Sequence, residues 1–78
     1  MTNYQAQLEA YLSHYQPQLK AELQHTQQLQ NYLAEQSEAM AAMETKLINQ
    51  LQEVTPGLSR LQAELEAQRT VLEHFLTP

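Results

Sequence analysis

A residue repeat of seven positions constrains the fold of this chain more than any other feature. The repeat runs through Leu12, Leu19, Thr26, Leu33, Met40, Leu47, Val54 and Leu61, with Thr26 as its polar member. Companion apolar residues accompany it at Leu8, Tyr15, Leu29, Met43, Leu51, Leu58, Leu65 and Leu72. Heptads of this kind place an apolar stripe along one face of a helix, so they predict helices that pack side by side.

The seam formed by these heptads is imperfect in two ways. Two four-residue steps in succession, from Met43 to Leu47 to Leu51, change its phase and predict a local unwinding of any supercoil. Polar residues interrupt it at Glu22, Gln36, Gln50 and Gln68. Such residues either fix the register and oligomeric state or lie at the edge of a wider seam, and the sequence leaves both readings open.

The first break in the helical pattern is at Pro17. Proline removes one backbone donor and disfavours the α conformation of the residue before it, here Gln16. A first helical segment over about residues 3–15 is therefore expected to end there. Because no Gly, Asn or Asp adjoins Pro17, a kink is favoured, with a tight turn as the alternative.

The second break is stronger, since Pro56 and the only glycine, Gly57, are adjacent. Inside a helix the pair would cost about 4 kcal/mol, which predicts a turn. Ser59 followed by Gln62 has the spacing of a capping box and predicts a last helix over about residues 59–76. Thr55 as the cap, with Pro56 in the first turn, is the competing start.

No turn signal lies between the two breaks, so one long helix is predicted over about residues 18–53. The fold class is then all-α, a helical hairpin or coiled-coil-like bundle with a kinked N-terminal segment, forming a single helical domain over residues 1–78. A reversal near Pro56 would place Leu61 opposite Leu51, Leu65 opposite Leu47 and Leu72 opposite Met40. The predicted hairpin core is therefore Met40, Leu47, Leu51, Leu61, Leu65 and Leu72.

The last helix is too short to cover the earlier part of the long one, which lacks cover within the chain unless the first segment folds back. We expect the uncovered residues to form an interface, together with the apolar and aromatic side of the first segment, and this predicted interface is Tyr4, Leu8, Tyr11, Leu12, Tyr15, Leu19, Leu23, Leu29, Tyr32 and Leu33. Aromatic residues are enriched at protein interfaces. Whether the tyrosine side is core or docking surface is left open.

Charge excludes two classes of partner. The formal net charge is -5, and the basic residues Lys20, Lys46, Arg60 and Arg69 are scattered along the chain. Nucleic acids and anionic membranes both require a basic face, so neither is expected as a partner. The chain shows no signal peptide, no long apolar run and no cysteine. A cytoplasmic location is the expectation.

One spacing could carry metal chemistry. Glu22 and His25 form a Glu-x-x-His pair, which places a carboxylate and an imidazole on one face of a helix. A dinuclear site needs two such pairs and two further carboxylates, and His14 and His74 lie too far along the chain to help. We expect no metal, no cofactor and no catalytic site, and the chain is not predicted to be an enzyme.

These observations predict a non-enzymatic helical protein–protein interaction module that self-associates as a homodimeric bundle. The first alternative is a small acidic adaptor or chaperone that shields an amphipathic helix of another protein. A metal-binding bundle that uses Glu22 and His25 is the remote alternative.

Overall fold

The protein is all-α, as predicted. A computed structural model describes residues 3–76, and within that range there is no strand. The helices are α1 (Tyr4–Tyr15), α2 (Pro17–His25), α3 (Leu29–Val54) and α4 (Arg60–Phe75). The second part of α3 and α4 form a helical hairpin, and α1 with α2 forms a kinked N-terminal segment.

The described residues divide into two compact units, residues 3–39 and residues 40–76. The first unit contains α1, α2 and the beginning of α3. The second contains the remainder of α3, the turn and α4. In the first unit the buried apolar side chains are Tyr4, Leu8, Leu12, Leu29 and Leu33.

The break at Pro17 is a kink and not a reversal. Gln16 leaves the helical conformation, with φ −137° and ψ 59°, and Pro17 begins α2 in the first turn, where its missing donor costs least. The Gln16 amide still donates to the Leu12 carbonyl oxygen at 3.0 Å. Lys20 Nζ donates to Ser13 Oγ at 2.6 Å and lies 3.9 Å from Glu9 Oε1, so side chains of α1 and α2 are tied across the kink.

The helix predicted over residues 18–53 is interrupted, and the prediction of one continuous helix is wrong. Gln27 has φ of 60°, in the left-handed region. Its amide donates to the Gln24 carbonyl oxygen at 3.1 Å, and the Gln28 amide donates to the Leu23 carbonyl oxygen at 2.8 Å. This pair of bonds is the Schellman motif, which ends α2 by satisfying its last carbonyl groups.

The turn at Pro56 and Gly57 is present, and it connects the two helices of the hairpin. The Leu58 amide donates to the Thr55 carbonyl oxygen at 2.9 Å, which closes a four-residue turn around the Pro-Gly pair. The capping box is confirmed, since Ser59 accepts from the Gln62 amide while the Gln62 side chain accepts from the Ser59 amide. Helix α4 therefore begins after Ser59 and not at Pro56.

Candidate protein–protein interface

The core of the hairpin differs from the one predicted on α4. Ile48 packs with Ala63 and Ala67, both fully buried, and the half-buried side chains around this cluster are Leu47, Leu51 and Leu58. Leu47 and Leu51, which were predicted to form the hairpin core, are half-buried and pack against this cluster. The heptad pattern misses Ile48, because it passes through the neighbouring Leu47.

Leu61 and Leu65 do not belong to the hairpin core. Their exposed fractions are 64% and 57%, whereas Ala63, Ala67 and Val71 are each 0% exposed. Ala63, Ala67 and Val71 have i, i+4, i+8 spacing, so they follow one side of the helix. Around the helix axis, Leu61 and Leu65 lie about 100° or more from the middle of that side. The pairing of Leu61 with Leu51 and of Leu65 with Leu47 is therefore wrong. Among the other predicted core residues, Met40 is buried and Leu72 is half-buried.

Small side chains explain this choice of face. Ala63 and Ala67 let the backbone of α4 approach α3 more closely than leucine would, so that Ile48 and the surrounding leucines fill the space between the helices. The leucines of α4 are then left on another side. Helix α4 consequently has two apolar faces, of which the alanine face is used within the hairpin.

The second face has heptad spacing of its own. We call Leu61, Leu65, Gln68 and Leu72 the leucine seam; their separations of four, three and four residues are those of alternating heptad core positions. The exposed part is at the N-terminal end, at Leu61 and Leu65, while Gln68 and Leu72 are half-buried. Leu61 and Leu65 thus form an exposed apolar pair with heptad spacing.

Charged residues flank the leucine seam on both sides. If Leu61 and Leu65 occupy positions d and a of a heptad, Glu64 falls at g and Arg69 at e. Within α4, Glu64 Oε1 accepts from Arg60 Nε at 3.2 Å, and Arg69 Nη2 donates to Glu66 Oε2 at 3.0 Å. These pairs are solvent-exposed, so each contributes at most about 1 kcal/mol.

The interface predicted in the first unit is largely covered within the chain. Leu29 and Leu33 are buried, so these two of the residues expected to need cover from outside the hairpin are covered within the chain. Leu19, Leu23 and Tyr32 are half-buried. Leu8 and Leu12, predicted for the same interface, are buried as well.

The tyrosine side of α1 is divided between core and surface. Tyr4 is 4% exposed, Tyr11 is half-buried and Tyr15 is 53% exposed. The Tyr11 and Tyr15 rings are tilted against each other, with 5.3 Å between their centroids. Tyr11 also accepts from Gln16 Nε2 through its hydroxyl oxygen at 3.3 Å, next to the kink.

The Glu-x-x-His pair does not extend into a larger site. Glu22 and His25 are both exposed on α2. Within residues 3–76, no group of three or more His, Cys, Asp or Glu side chains could hold a metal ion. No helix in the same range is both long enough and apolar enough to cross a bilayer.

Comparison of the chain with protein-family models, with curated proteins and with solved structures finds no match.

Proposed function

We propose that this chain is a helix-packing interaction module that self-associates as a homodimer through the leucine seam of α4. One observation carries the proposal: Leu61 and Leu65 are 64% and 57% exposed on a helix whose alanine face already packs in the hairpin. Exposed leucines at heptad spacing are typical of a surface that a second helix covers.

A second copy of the chain is the occupant that requires the fewest additional features. It presents the same seam with the same spacing, so a two-fold axis would bring Leu61 and Leu65 of one protomer against the same residues of the other. The heptad spacing lets each leucine insert between side chains of the opposing helix. The dimer would thus bury on α4 the apolar surface that the hairpin leaves in water.

The exposed leucines set the strength of this association. Burying a fully exposed leucine contributes about 1.5–3 kcal/mol, so two partly exposed leucines from each protomer contribute roughly 4–7 kcal/mol in total. Helix α4 has only 16 residues, and its leucine seam, from Leu61 to Leu72, is shorter than two heptads. Association also has an entropic cost of at least about 4 kcal/mol, so we expect a dissociation constant in the millimolar range or above, and hence a weak, reversible monomer–dimer equilibrium.

Sedimentation equilibrium over a concentration series that brackets this range tests the proposal. The wild-type chain should shift from monomer towards dimer as concentration rises, and the Leu61→Ser, Leu65→Ser double variant should stay monomeric. Tyr15→Ser is the matched control, because it removes another exposed apolar side chain from a different helix. Circular dichroism on all three chains should show unchanged helicity, since none of the altered side chains is buried.

Two outcomes would contradict the homodimer. A wild-type chain that stays monomeric throughout the series would reject self-association and leave the leucine seam to an amphipathic helix of another protein, as in the adaptor alternative. A dimer that Tyr15→Ser dissociates and the leucine variant does not would place the interface on the first unit.

A further inference from the structure

The charges that flank the leucine seam indicate the orientation of the helices in the proposed dimer. We infer that two copies of α4 pack parallel and in register, with Glu64 of each protomer facing Arg69 of the other. This inference rests on the proposed self-association and adds to it the direction of the helices and a pair of symmetric contacts.

The first step is the position of the two charges. In a parallel pair of helices, the residue at g of one helix faces the residue at e of the next heptad on the other, five positions further along. Glu64 and Arg69 are five positions apart and have opposite charge. A parallel dimer therefore forms two attractive contacts, one on each side of the seam.

The second step is the cost of an antiparallel arrangement. Antiparallel helices set g positions against g positions and e positions against e positions. The Glu64 to Arg69 contact is then lost. The other e and g positions of α4 are Gln62 and Val71, and both are uncharged, so they offer no replacement ion pair.

The third step is that both charges are able to form the new contacts. The side chains of Arg69 and Glu64 are 67% and 38% exposed, and their present partners, Glu66 and Arg60, lie on the same helix. Exposed ion pairs of this kind contribute little to the free energy of folding. Replacing them with ion pairs between protomers therefore costs little. Glu64 is already partly exposed beside the leucine seam, whereas Val71, the other g position, is buried.

Gln68 supports the same orientation. It is the polar member of the seam and is half-buried in the single chain. In a parallel, in-register dimer the two Gln68 side chains meet, and each amide is able to donate a hydrogen bond to the other. Polar residues within a heptad seam fix register in this way, at a cost in stability.

Charge variants test the inference. Glu64→Arg and Arg69→Glu each turn two attractive contacts into two repulsive ones, so each single variant should raise the dimer dissociation constant by roughly 5- to 30-fold. The Glu64→Arg, Arg69→Glu double variant should return to near the wild-type value. An equimolar mixture of the two single variants should form a heterodimer of about wild-type affinity, since both of its contacts are again attractive.

Glu73→Arg is the matched control for net charge. It makes the same charge change on an exposed position of α4 that is neither e nor g, so the dissociation constant should change by less than about 2-fold. Circular dichroism should show that all variants keep the helicity of the wild type. A control that weakens the dimer as much as Glu64→Arg does would overturn the specific contact.

Disulfide formation measures the orientation independently, because the natural chain contains no cysteine. Under mild oxidation, Leu61→Cys should form a disulfide with another copy of itself, and a mixture with Leu72→Cys should give few mixed pairs. Predominant pairing of position 61 with position 72 would overturn the parallel arrangement while leaving the leucine-seam dimer intact. A chain that is monomeric at every concentration would instead reject the proposed function itself.

Discussion

Within residues 3–76, the left-handed backbone conformation is adopted by Gln27 and not by Gly57. Gln27 has φ of 60°, whereas Gly57 has no positive φ although it lies in the hairpin turn. The one residue type that adopts positive φ without steric cost is therefore absent from the position that requires it. Placing glycine at position 27 and alanine at position 57 should therefore each stabilise the chain.

Gln27→Gly should raise the free energy of unfolding by roughly 0.5–1 kcal/mol, because the Schellman motif that ends α2 places its C′ residue in the left-handed region. The expected shift of the melting temperature is about 2–8 °C. Gln24→Gly is the control, since Gln24 is helical and exposed and glycine there should destabilise by about 1 kcal/mol. Equal losses in both variants would contradict the left-handed conformation at Gln27.

Gly57→Ala should stabilise the chain by about 0.4–1 kcal/mol, since alanine reduces the conformational entropy of the unfolded state. A Cβ atom at position 57 would meet no heavy atom within 4 Å outside its own residue and the two neighbouring residues, and the backbone there has no positive φ. Urea denaturation measures the change. A clear loss of stability would show that the turn uses a glycine conformation after all.

The sequence predicts the breaks that depend on strong local chemistry. Pro17 and the Pro56-Gly57 pair mark the kink and the turn, and the spacing of Ser59 and Gln62 marks the capping box. The break at Gln27 carries no such signal, because glutamine is a good helix former and rarely adopts positive φ. The only hint is the lack of an apolar residue between Leu23 and Leu29, which leaves that stretch without packing to hold it helical.

The face of α4 that packs in the hairpin could not be chosen from the sequence. Leu61 and Leu65 continue the heptads of the long helix across the turn, and they outweigh Ala63 and Ala67 in any apolar pattern. A pattern shows which faces are apolar, but it does not distinguish a face used within a chain from one used between chains. In the structure, the small residues Ala63 and Ala67 pack against Ile48 of α3, and the leucine face does not.

Ala67→Leu should destabilise the hairpin by about 1–3 kcal/mol, because a larger side chain has no space where Ala67 is 0% exposed. Leu65→Ala, on the same helix, should change stability by less than about 1 kcal/mol at concentrations where the chain is monomeric. Thermal unfolding of the two variants, followed by circular dichroism, compares the two faces of α4. A larger loss of stability in Leu65→Ala than in Ala67→Leu would instead support the hairpin core predicted from the sequence.

Tyr4→Ala should destabilise the first unit by about 3 kcal/mol or more, as large-to-small changes at buried positions do. Tyr15→Ala should cost about 1 kcal/mol or less, since its ring is 53% exposed and loses mainly its contact with Tyr11. Urea denaturation of both variants checks the difference. Equal effects would contradict the division of the tyrosine side between core and surface.

The most direct measurement of the central claim is a dilution series followed by methyl NMR on protein labelled at leucine, isoleucine and valine. We predict that the Leu61 and Leu65 methyl resonances move with concentration along one monomer–dimer curve, while those of Ile48, which packs in the hairpin core, stay fixed. Concentration-dependent shifts at Leu19 and Leu23, with Leu61 and Leu65 unchanged, would contradict association through the leucine seam of α4.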